Sequence, residues 1–403
     1  MIQNTMLKFH DYNFAGKKAL VRVDFNVPLD ENKKVTDDTR IRAALPTINK
    51  ILNDGGSAIL MSHLGRPKGK VDMEFSLKPA ADKLSELLNG KQVIMANDCI
   101  GEDACNKAKA LQPGQILLLE NLRFHKEEEA GDEGFSKCLA DLGDVYVDDA
   151  FGTAHRAHAS TTVVAKFFPK DKLFGYLMEE EITHLNKVLK SSEKPFTAII
   201  GGAKVSDKVG IIENLMQKAD YILIGGAMAY TFIKAQGGKT GKSLVEDDKL
   251  DLAKQLLEEA RTRGVKIMLP ADSVIANEFN KDATPSVAKS NDIPDTMMGL
   301  DIGPEAIKDY QDILLKSKTI LWNGPMGVFE WDNFANGTKD IAHAVADATT
   351  SNGAYSLIGG GDSVAAIHKF KLADKVSYIS TGGGAMLEYL EGITLPGIKA
   401  ILN

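Results

Sequence analysis

The sequence predicts an α/β protein with two doubly wound domains, each built on a mostly parallel sheet. Two observations support this fold class. Short apolar runs alternate with helix-like segments along nearly the whole chain, and this alternation is typical of βαβ units. The chain has 403 residues, which is long for one hydrophobic core and favours two domains of about 200 residues each.

The composition excludes several classes of protein. Hydrophobic residues make up 44% of the chain and charged residues 26%, as in soluble globular proteins. The net charge of −7 argues against nucleic acid as a partner, because no basic excess exists to replace counterions. The N-terminal stretch lacks a signal-peptide core, and the longest nearly apolar run, Tyr221–Ile233, is too short to span a bilayer. The three cysteines suit a reducing compartment, so we expect a cytoplasmic protein without a membrane partner.

The first half of the chain predicts five strands separated by helices such as Asp38–Asn53 and Leu77–Leu88. In parallel sheets, ligands bind beyond the carboxyl ends of the strands. The side chains that directly follow each apolar run are therefore the candidates for function. The predicted strands are Ala19–Val23, Ala58–Met61, Gln92–Met95, Ile116–Leu119 and Val145–Val147.

Positively charged side chains gather after these strands. Arginine holds carboxylate and phosphate oxygens in a fixed fork, so four arginines at equivalent positions of an acidic protein predict a small polyanion as the ligand. Glu127–Glu129, in contrast, is expected to be a solvated turn. The cationic candidates are Arg40, Arg66, Arg123 and Arg156 with His63, His125, His155 and His158, and Asp24 and Asn26 follow the first strand.

The segment Glu179–Lys190 predicts an amphipathic helix that connects the two domains. Its apolar residues fall on one stripe, and the segment Ser191–Pro195 ends it. We therefore place the first domain at residues 1–178, the connecting helix at 179–190 and the second domain at 191–392. His184 on this helix is expected to be half-exposed.

In the second half, apolar runs end repeatedly in glycines. Turns without side chains at one sheet edge let an extended ligand lie against backbone amides, which favours a nucleotide site. Lys204 and Lys208 follow the first of these turns and are predicted to lie on the first turn of a helix. The runs are AIIGGAK, YILIGGAM, KIMLPAD, TILWNGPMG, SLIGGGDS and SYISTGGGA.

Asp362 in GGGDS is the best candidate for a magnesium ligand, because Mg²⁺ bound to nucleotide phosphates needs only one or two protein carboxylates. A helix N-cap is the other interpretation of this residue. Gly237–Ser243 imitates a phosphate-binding loop, but Gln236 stands where glycine is required, so an exposed loop is expected.

Two anion sites on separate domains indicate phosphoryl transfer. In such a reaction, Lys204, Lys208 and Arg40 would neutralise charge on the transferred group. No candidate general base is evident, and an ionised carboxylate acceptor would need none. A dehydrogenase and a non-catalytic nucleotide-binding protein remain alternatives, although the chain lacks the GxGxxG turn of a dinucleotide enzyme.

Eight motifs, in order along nearly the whole chain, resemble the phosphoglycerate kinase family. They are RVDFNVP at Arg22–Pro28, SHLGRP at Ser62–Pro67, ENLRFH at Glu120–His125, DAFGTAHRAHAST at Asp149–Thr161, GGAKVSDK at Gly201–Lys208, WNGPMGVFE at Trp322–Glu330, GGGDS at Gly359–Ser363 and STGGGA at Ser380–Ala385.

The resemblance implies reversible phosphoryl transfer between 1,3-bisphosphoglycerate and ADP, which gives 3-phosphoglycerate and MgATP in glycolysis. It also implies two Rossmann-like lobes, usually in a monomer, that become active when a hinge helix lets them close. The tail at residues 393–403 would return to the first lobe.

The resemblance further implies roles for individual residues. Lys204 and Lys208 would contact nucleotide phosphates or the transferred group, and Asp362 would bind Mg²⁺. The phosphoglycerate would be held by Asp24, Asn26, Arg40, His63, Arg66, Arg123 and Arg156. The nucleotide would be held by Gly201, Gly202, Gly225, Gly226, Gly299 and Leu300 at the adenine, by Asn323, Pro325 and Glu330 at the ribose, and by Gly359, Gly360, Gly361, Asp362 and Ser363 at the phosphates.

Overall fold

The computed structural model describes residues 8–403. The chain forms two compact units, one that runs to Ile182 and includes Thr394–Asn403, and one that comprises Thr183–Ile393. Each unit contains a six-stranded sheet in which all neighbouring strands are parallel. This confirms the predicted α/β fold class. The limits predicted for the domains from the sequence stay a prediction.

The first unit has the strand order β3-β4-β2-β1-β5-β6. β2 is buried along its whole length because helices cover both faces of a parallel sheet. The strands are β1 (Lys18–Arg22), β2 (Ser57–Met61), β3 (Val93–Met95), β4 (Ile116–Leu118), β5 (Val145–Asp148) and β6 (Lys172–Phe174), and the helices are α1 (Thr39–Asn53), α2 (Lys78–Leu87), α3 (Glu102–Ala110), α4 (Lys126–Ala130) and α5 (Glu133–Ala140).

The core of this unit follows from the apolar stripes of its helices. In α1, Ile41, Ala44, Ile48 and Ile51 recur at helical spacing, and all four are buried in one cluster with the apolar residues of β1 and β2. The opposite face of α1 carries the exposed ion pair Asp38–Arg42. Burial of this stripe fixes the N-terminal end of α1, where Arg40 lies.

The predicted connecting helix is α6 (Tyr176–Lys190), which begins three residues before the predicted start. Asp149 explains the earlier start, because its Oδ1 accepts hydrogen bonds from the backbone N–H groups of Leu177 (2.9 Å) and Met178 (3.4 Å). These N–H groups have no partner within the helix. Asp149 follows β5 as expected, but it caps a helix.

The second unit has the strand order β10-β8-β7-β15-β16-β17. Its core centres on Trp322, Tyr310 and the buried alanines of α11. The strands of the sheet are β7 (Phe196–Ile200), β8 (Tyr221–Ile224), β10 (Lys266–Met268), β15 (Thr319–Asn323), β16 (Tyr355–Ile358) and β17 (Tyr378–Ile379), and the helices are α7 (Val209–Leu215), α8 (Met228–Ala235), α9 (Leu250–Arg263), α10 (Pro304–Leu314), α11 (Asn336–Asn352), α12 (Gly361–Lys369) and α13 (Gly383–Leu390).

Two smaller sheets complete this unit. One has the antiparallel order β12-β11-β14, and β9 pairs with β13 in the other. Their strands are β9 (Lys239–Thr240), β11 (Asp272–Ala276), β12 (Ser286–Lys289), β13 (Asp292–Ile293) and β14 (Met298–Ile302). The exposed loop expected at Gly237–Ser243 is only partly correct, because Thr240 and Ser243 are buried and Ser243 Oγ accepts a hydrogen bond from Gly299 N (2.9 Å).

The C-terminal helix α14 (Pro396–Leu402) packs on the first unit. Gly397 N donates to Ala154 O (2.8 Å), and Lys172 Nζ donates to Ala400 O (2.9 Å). A side chain at position 397 would contact the Ala154 backbone at 3.1 Å, so glycine permits this close approach. Within residues 8–403, no helix has both the length and the apolar character to cross a bilayer.

Candidate active site

Four adjacent strands bring the predicted cationic residues of the first unit to one sheet edge. The strand order places β4, β2, β1 and β5 side by side. Because all four are parallel, the segments after their carboxyl ends are neighbours. These segments carry Arg123 after β4, His63 and Arg66 after β2, Asp24 and Asn26 after β1, and Arg156 after β5.

Hydrogen bonds join three of these segments. Arg40 NH1 donates to Asp24 Oδ1 (3.2 Å) and to Asn26 O (2.9 Å). Asn26 Oδ1 in turn accepts from Gly65 N (2.9 Å), and Gly65 O accepts from Arg123 NH1 (2.9 Å). The exposed Arg66 directly follows Gly65. Asp24 and Asn26 therefore hold Arg40 and the turn at Gly65 in place.

His63 is 4% exposed and lies among four arginines. Burial lowers the pKa of His63 well below its ordinary value, and the charges of Arg22, Arg123, Arg40 and Arg156 lower it further. Its ring is therefore neutral at physiological pH. The side chain supplies a hydrogen-bonding group without adding charge.

The buried atoms without a hydrogen-bond partner within residues 8–403 include two nitrogens at this edge, Arg123 Nε and His158 Nδ1, although Glu129 Oε1 lies 3.6 Å from Arg123 Nε. Burial and the neighbouring arginines lower the pKa of His158 to about 4. Half-buried Arg156 lies on the same segment as His158. Buried polar groups are normally paired, so unpaired atoms beside an excess of positive charge indicate a place for anionic oxygens.

The structure corrects the prediction for Glu127–Glu129. This segment belongs to α4, and the Glu128 side chain is 0% exposed. Glu128 Oε2 accepts from Ser160 N (3.0 Å) and Oε1 accepts from Ser160 Oγ (2.5 Å). Three consecutive glutamates look solvated in sequence. The donors that satisfy the buried Glu128 carboxylate come from Ser160, which lies in the segment after β5 and is brought beside α4 only by the fold.

At the corresponding edge of its sheet, the second unit presents backbone groups in place of side chains. The turns after β8, β7, β15 and β16 are neighbours, because these strands are adjacent in the sheet. Gly226 has φ +70°, and a Cβ there would lie 2.4 Å from Gly202 O. A Cβ at Gly201 would lie 2.0 Å from Pro325 O. These turns pack main chain against main chain, so only glycine fits.

The lysines of the first turn do not lie on a helix as predicted. Helix α7 begins at Val209, with Lys208 at its N-cap position. Lys204 is exposed in the preceding loop, whereas Lys208 Nζ donates to Asn323 Oδ1. The glycines lengthen the turn, and a helix begins only after it. The i, i+4 spacing alone could not reveal this.

Asn323 joins three turns of this edge. Its backbone O accepts from Gly201 N (2.9 Å), and its Nδ2 donates to Gly359 O (2.8 Å). Gly324 N donates to Ser363 Oγ (2.6 Å). Burial lowers the pKa of Lys208, and the charges of Asp207, Asp362 and Glu391 oppose that shift. Sequence reasoning missed Glu391, which lies outside every motif, beyond the end of STGGGA.

Asp362 is not a helix N-cap. The N-cap of α12 is Gly360 (φ +92°), and Asp362 is an exposed residue of the first helical turn. An exposed carboxylate beside a helix N-terminus suits a cation that also binds phosphate oxygens.

The remaining predicted nucleotide residues lie close to this edge in the fold. Leu300 is 7% exposed in β14, and its backbone O accepts from Val328 N (2.9 Å). Gly299 precedes it in the strand, and a Cβ there would meet Tyr230. Glu330 is exposed after the same loop that contains Val328.

The three cysteines differ in environment, and Cys99 is buried. Within the described residues, Asp98, Cys99 and His125 bring potential metal ligands within 4.8 Å of one another. Asp98 Oδ1 already accepts from His125 Nε2 (2.7 Å) and from Cys99 N (2.6 Å). The contacts are those of an ion pair with a supporting backbone hydrogen bond.

Comparisons with known proteins agree on one family. A family model described as phosphoglycerate kinase matches residues 9–393. The chain is 58% identical to the phosphoglycerate kinase of Chloroherpeton thalassium over 98% of both chains, and 55% identical to that of Porphyromonas gingivalis over 98% of this chain and 100% of the relative. The solved phosphoglycerate kinase structure from Coxiella burnetii superimposes with a TM-score of 0.89 at 42% identity, and each chain is 98% covered. The chain belongs to the phosphoglycerate kinase family.

Proposed function

We propose that this chain catalyses reversible phosphoryl transfer between 1,3-bisphosphoglycerate and ADP, with 3-phosphoglycerate and MgATP as products. The observation that carries the proposal is the set of arginines and neutral histidines at four adjacent strand ends of the first unit. The phosphoglycerate carries a carboxylate and a phosphate, which match the guanidinium forks of these arginines. Family membership supports the same substrate.

We assign the phosphoglycerate to the first unit. Arg123 and Arg156 would hold anionic oxygens, with Arg66 at the rim and His63 as a neutral hydrogen-bonding group. Asp24 and Asn26 would orient Arg40 and the turn at Gly65 through the hydrogen bonds described above. The complete set is Asp24, Asn26, Arg40, His63, Arg66, Arg123 and Arg156.

The nucleotide belongs on the glycine turns of the second unit. Backbone N–H groups at Gly359–Ser363 would bind phosphate oxygens, because they open helix α12. Gly201, Gly202, Gly225, Gly226, Gly299 and Leu300 would line the adenine, and Asn323, Pro325 and Glu330 would hold the ribose. Lys204 and Lys208 would neutralise charge on the phosphates and on the transferred group.

Mg²⁺ fits the exposed Asp362 carboxylate at the start of α12. When bound, the ion would neutralise charge on the nucleotide phosphates. The residues of this chain would act around it: Lys208 and Arg40 would stabilise the negative charge of the transferred group. The acceptor carboxylate is ionised, so no side chain has to remove a proton.

We further propose in-line transfer after the two units close about the connecting helix. Small-angle scattering should then show a smaller radius of gyration with both substrates bound than with either one alone. An unchanged profile at saturation would contradict the closure. A monomer in the cytoplasm, with small-molecule substrates and without nucleic acid or membrane as partners, stays a prediction.

The test of the proposed function is a coupled assay of 3-phosphoglycerate-dependent ATP consumption. Arg40→Ala and Lys208→Ala should each lower kcat by roughly 100-fold or more, because preorganised charge stabilisation is typically of that size. Arg42→Ala, two residues from Arg40 and paired with Asp38 at the surface, is the matched control. Turnover within about threefold of wild type in both variants would overturn the assignment.

A further inference from the structure

The polar network behind the strand ends of the first unit runs inward from His63 to Glu128. Arg22 is fully buried at the end of β1, and its NH2 lies 3.2 Å from His63 Nδ1. On the other side, Arg22 Nε donates to Ser160 Oγ (2.7 Å), and its NH1 donates to Val23 O. Ser160 Oγ then donates to Glu128 Oε1 (2.5 Å).

The donors and acceptors of this network can be assigned from chemistry. A guanidinium nitrogen can only donate, so His63 Nδ1 must accept from Arg22. The proton of the neutral His63 ring therefore resides on Nε2. Because Ser160 Oγ accepts from Arg22 Nε, its own hydrogen is directed to Glu128.

Glu128 is the accepting end of the network. Both of its oxygens accept hydrogen bonds, one from Ser160 Oγ and one from Ser160 N. Burial raises the pKa of Glu128, whereas the Arg22 charge and the two hydrogen bonds from Ser160 favour the ionised form. A fully buried carboxylate with two donors and a cation beyond them is a defined site, not a solvated surface residue.

We propose that Glu128 is a positioning residue for the phosphoglycerate site: through Ser160 and Arg22 it holds His63 in the tautomer that presents an Nε2–H donor to the ligand. Glu128 does not touch the substrate. The inference rests on the proposed function, because His63 belongs to the site assigned there.

Glu128→Gln tests this inference, because it keeps the size of the side chain but not its two acceptors. The glutamine carbonyl can accept from Ser160 N, but its NH₂ group then faces Ser160 Oγ as a donor. Ser160 Oγ would receive hydrogen bonds from two donors, and its own hydrogen would lose its acceptor. The orientation of Arg22 should then be less well fixed, and the hydrogen bond that it donates to His63 Nδ1 should weaken.

We expect Glu128→Gln to raise KM for 3-phosphoglycerate about tenfold, the size of one lost charge-assisted hydrogen bond. KM for ATP should remain at the wild-type value. Glu127→Gln, its neighbour on α4, is the matched control and should leave both KM values unchanged. Ser160→Ala should reproduce the effect of Glu128→Gln, and the double variant should be no worse than either single one.

A spectroscopic measurement separates positioning from general stability. ¹⁵N NMR of the imidazole rings should show His63 as the neutral Nε2–H tautomer in the wild-type protein and a mixture of tautomers or a protonated ring in Glu128→Gln. His63→Gln identifies the signal among the eight histidines. A wild-type His63 that is protonated at Nδ1 would overturn the inference, and this outcome does not require Glu128→Gln to fold.

The remaining outcomes distinguish this inference from the proposed function. If His63→Gln raises KM for 3-phosphoglycerate while Glu128→Gln and Ser160→Ala lower only the melting temperature, Glu128 is merely structural and the inference is wrong. If His63→Gln itself leaves that KM unchanged, the substrate site assigned under the proposed function fails, and the inference fails with it.

Discussion

The two units use the same sheet edge in opposite ways. Each brings together the segments after four adjacent parallel strands. In the first unit these segments present side chains, with buried Arg123 and His63 as examples. In the second unit they present main chain, and Gly201 and Gly226 pack so closely that no Cβ fits.

The difference shows what each kind of proposed anion site requires from the rest of its unit. A site of buried cations must offset the loss of hydration, so it needs internal acceptors such as Glu128 and Asp24. A site of backbone amides needs little charge, but it needs turns without side chains. Substitutions at these edges should therefore act mainly through electrostatics in the first unit and through steric clashes in the second.

The largest expected effect is steric. Gly201→Ala should destabilise the second unit by about 3 kcal/mol, because the added Cβ meets the backbone oxygen of Pro325 at 2.0 Å and main chain cannot move aside like a side chain. Urea denaturation measures this change in the free energy of unfolding. Gly361→Ala is the matched control: nothing lies within 4 Å of its added Cβ, so its unfolding free energy should stay within about 1 kcal/mol of wild type. Equal losses in the two variants would contradict the steric account.

The next effect is electrostatic and belongs to the first unit. Arg123→Lys keeps the charge but loses the planar fork that also donates to Gly65 O. KM for 3-phosphoglycerate should rise about tenfold, as for one lost charged hydrogen bond, with KM for ATP unchanged. Arg42→Lys, on the exposed face of α1, should alter neither KM value. A rise in KM for ATP alone would show that the two sites are not divided between the units as proposed.

The smallest effect concerns the ion pair Asp98–His125, which lies outside the strand-end sites. The hydrogen bond that His125 donates to Asp98 raises the pKa of His125 despite partial burial. Burial acts to raise the pKa of Asp98, but hydrogen bonds from His125 and from the Cys99 backbone outweigh it and lower that pKa. The pair should contribute about 1 kcal/mol or less, since both side chains are partly exposed.

The sign of this contribution follows from the two shifts. The contribution of His125 is complete below its ordinary pKa of about 6.5 and is lost as the pH rises through the raised value. That of Asp98 is present above its ordinary pKa and is lost as the pH falls through the lowered value. We therefore expect the difference in unfolding free energy between the wild type and Asp98→Asn, measured by urea unfolding, to shrink at both the acidic and the basic end of the pH range. A difference that grows as the pH rises above the ordinary pKa of His125 would show that the pair does not behave in this way.

The sequence was most informative where a property depends on order along the chain. Alternating apolar runs predict the parallel sheets, because period and run length are local. Residues after those runs predict the sheet-edge sites, because parallel strands all end on one side. Glu128, however, was interpreted wrongly, since the burial of a short glutamate-rich segment depends on Ser160 and on Arg22, which is more than 100 residues away.

By itself, the sequence determined the two α/β halves and the family resemblance, and it predicted the two kinds of anion site. Tertiary structure decided which strand ends are neighbours, where the helix after Gly202 begins, and which charged groups are buried. The physical reason is that hydrophobic periodicity and glycine conformation act over a few residues, whereas burial and the pairing of charges depend on what the rest of the chain places beside them.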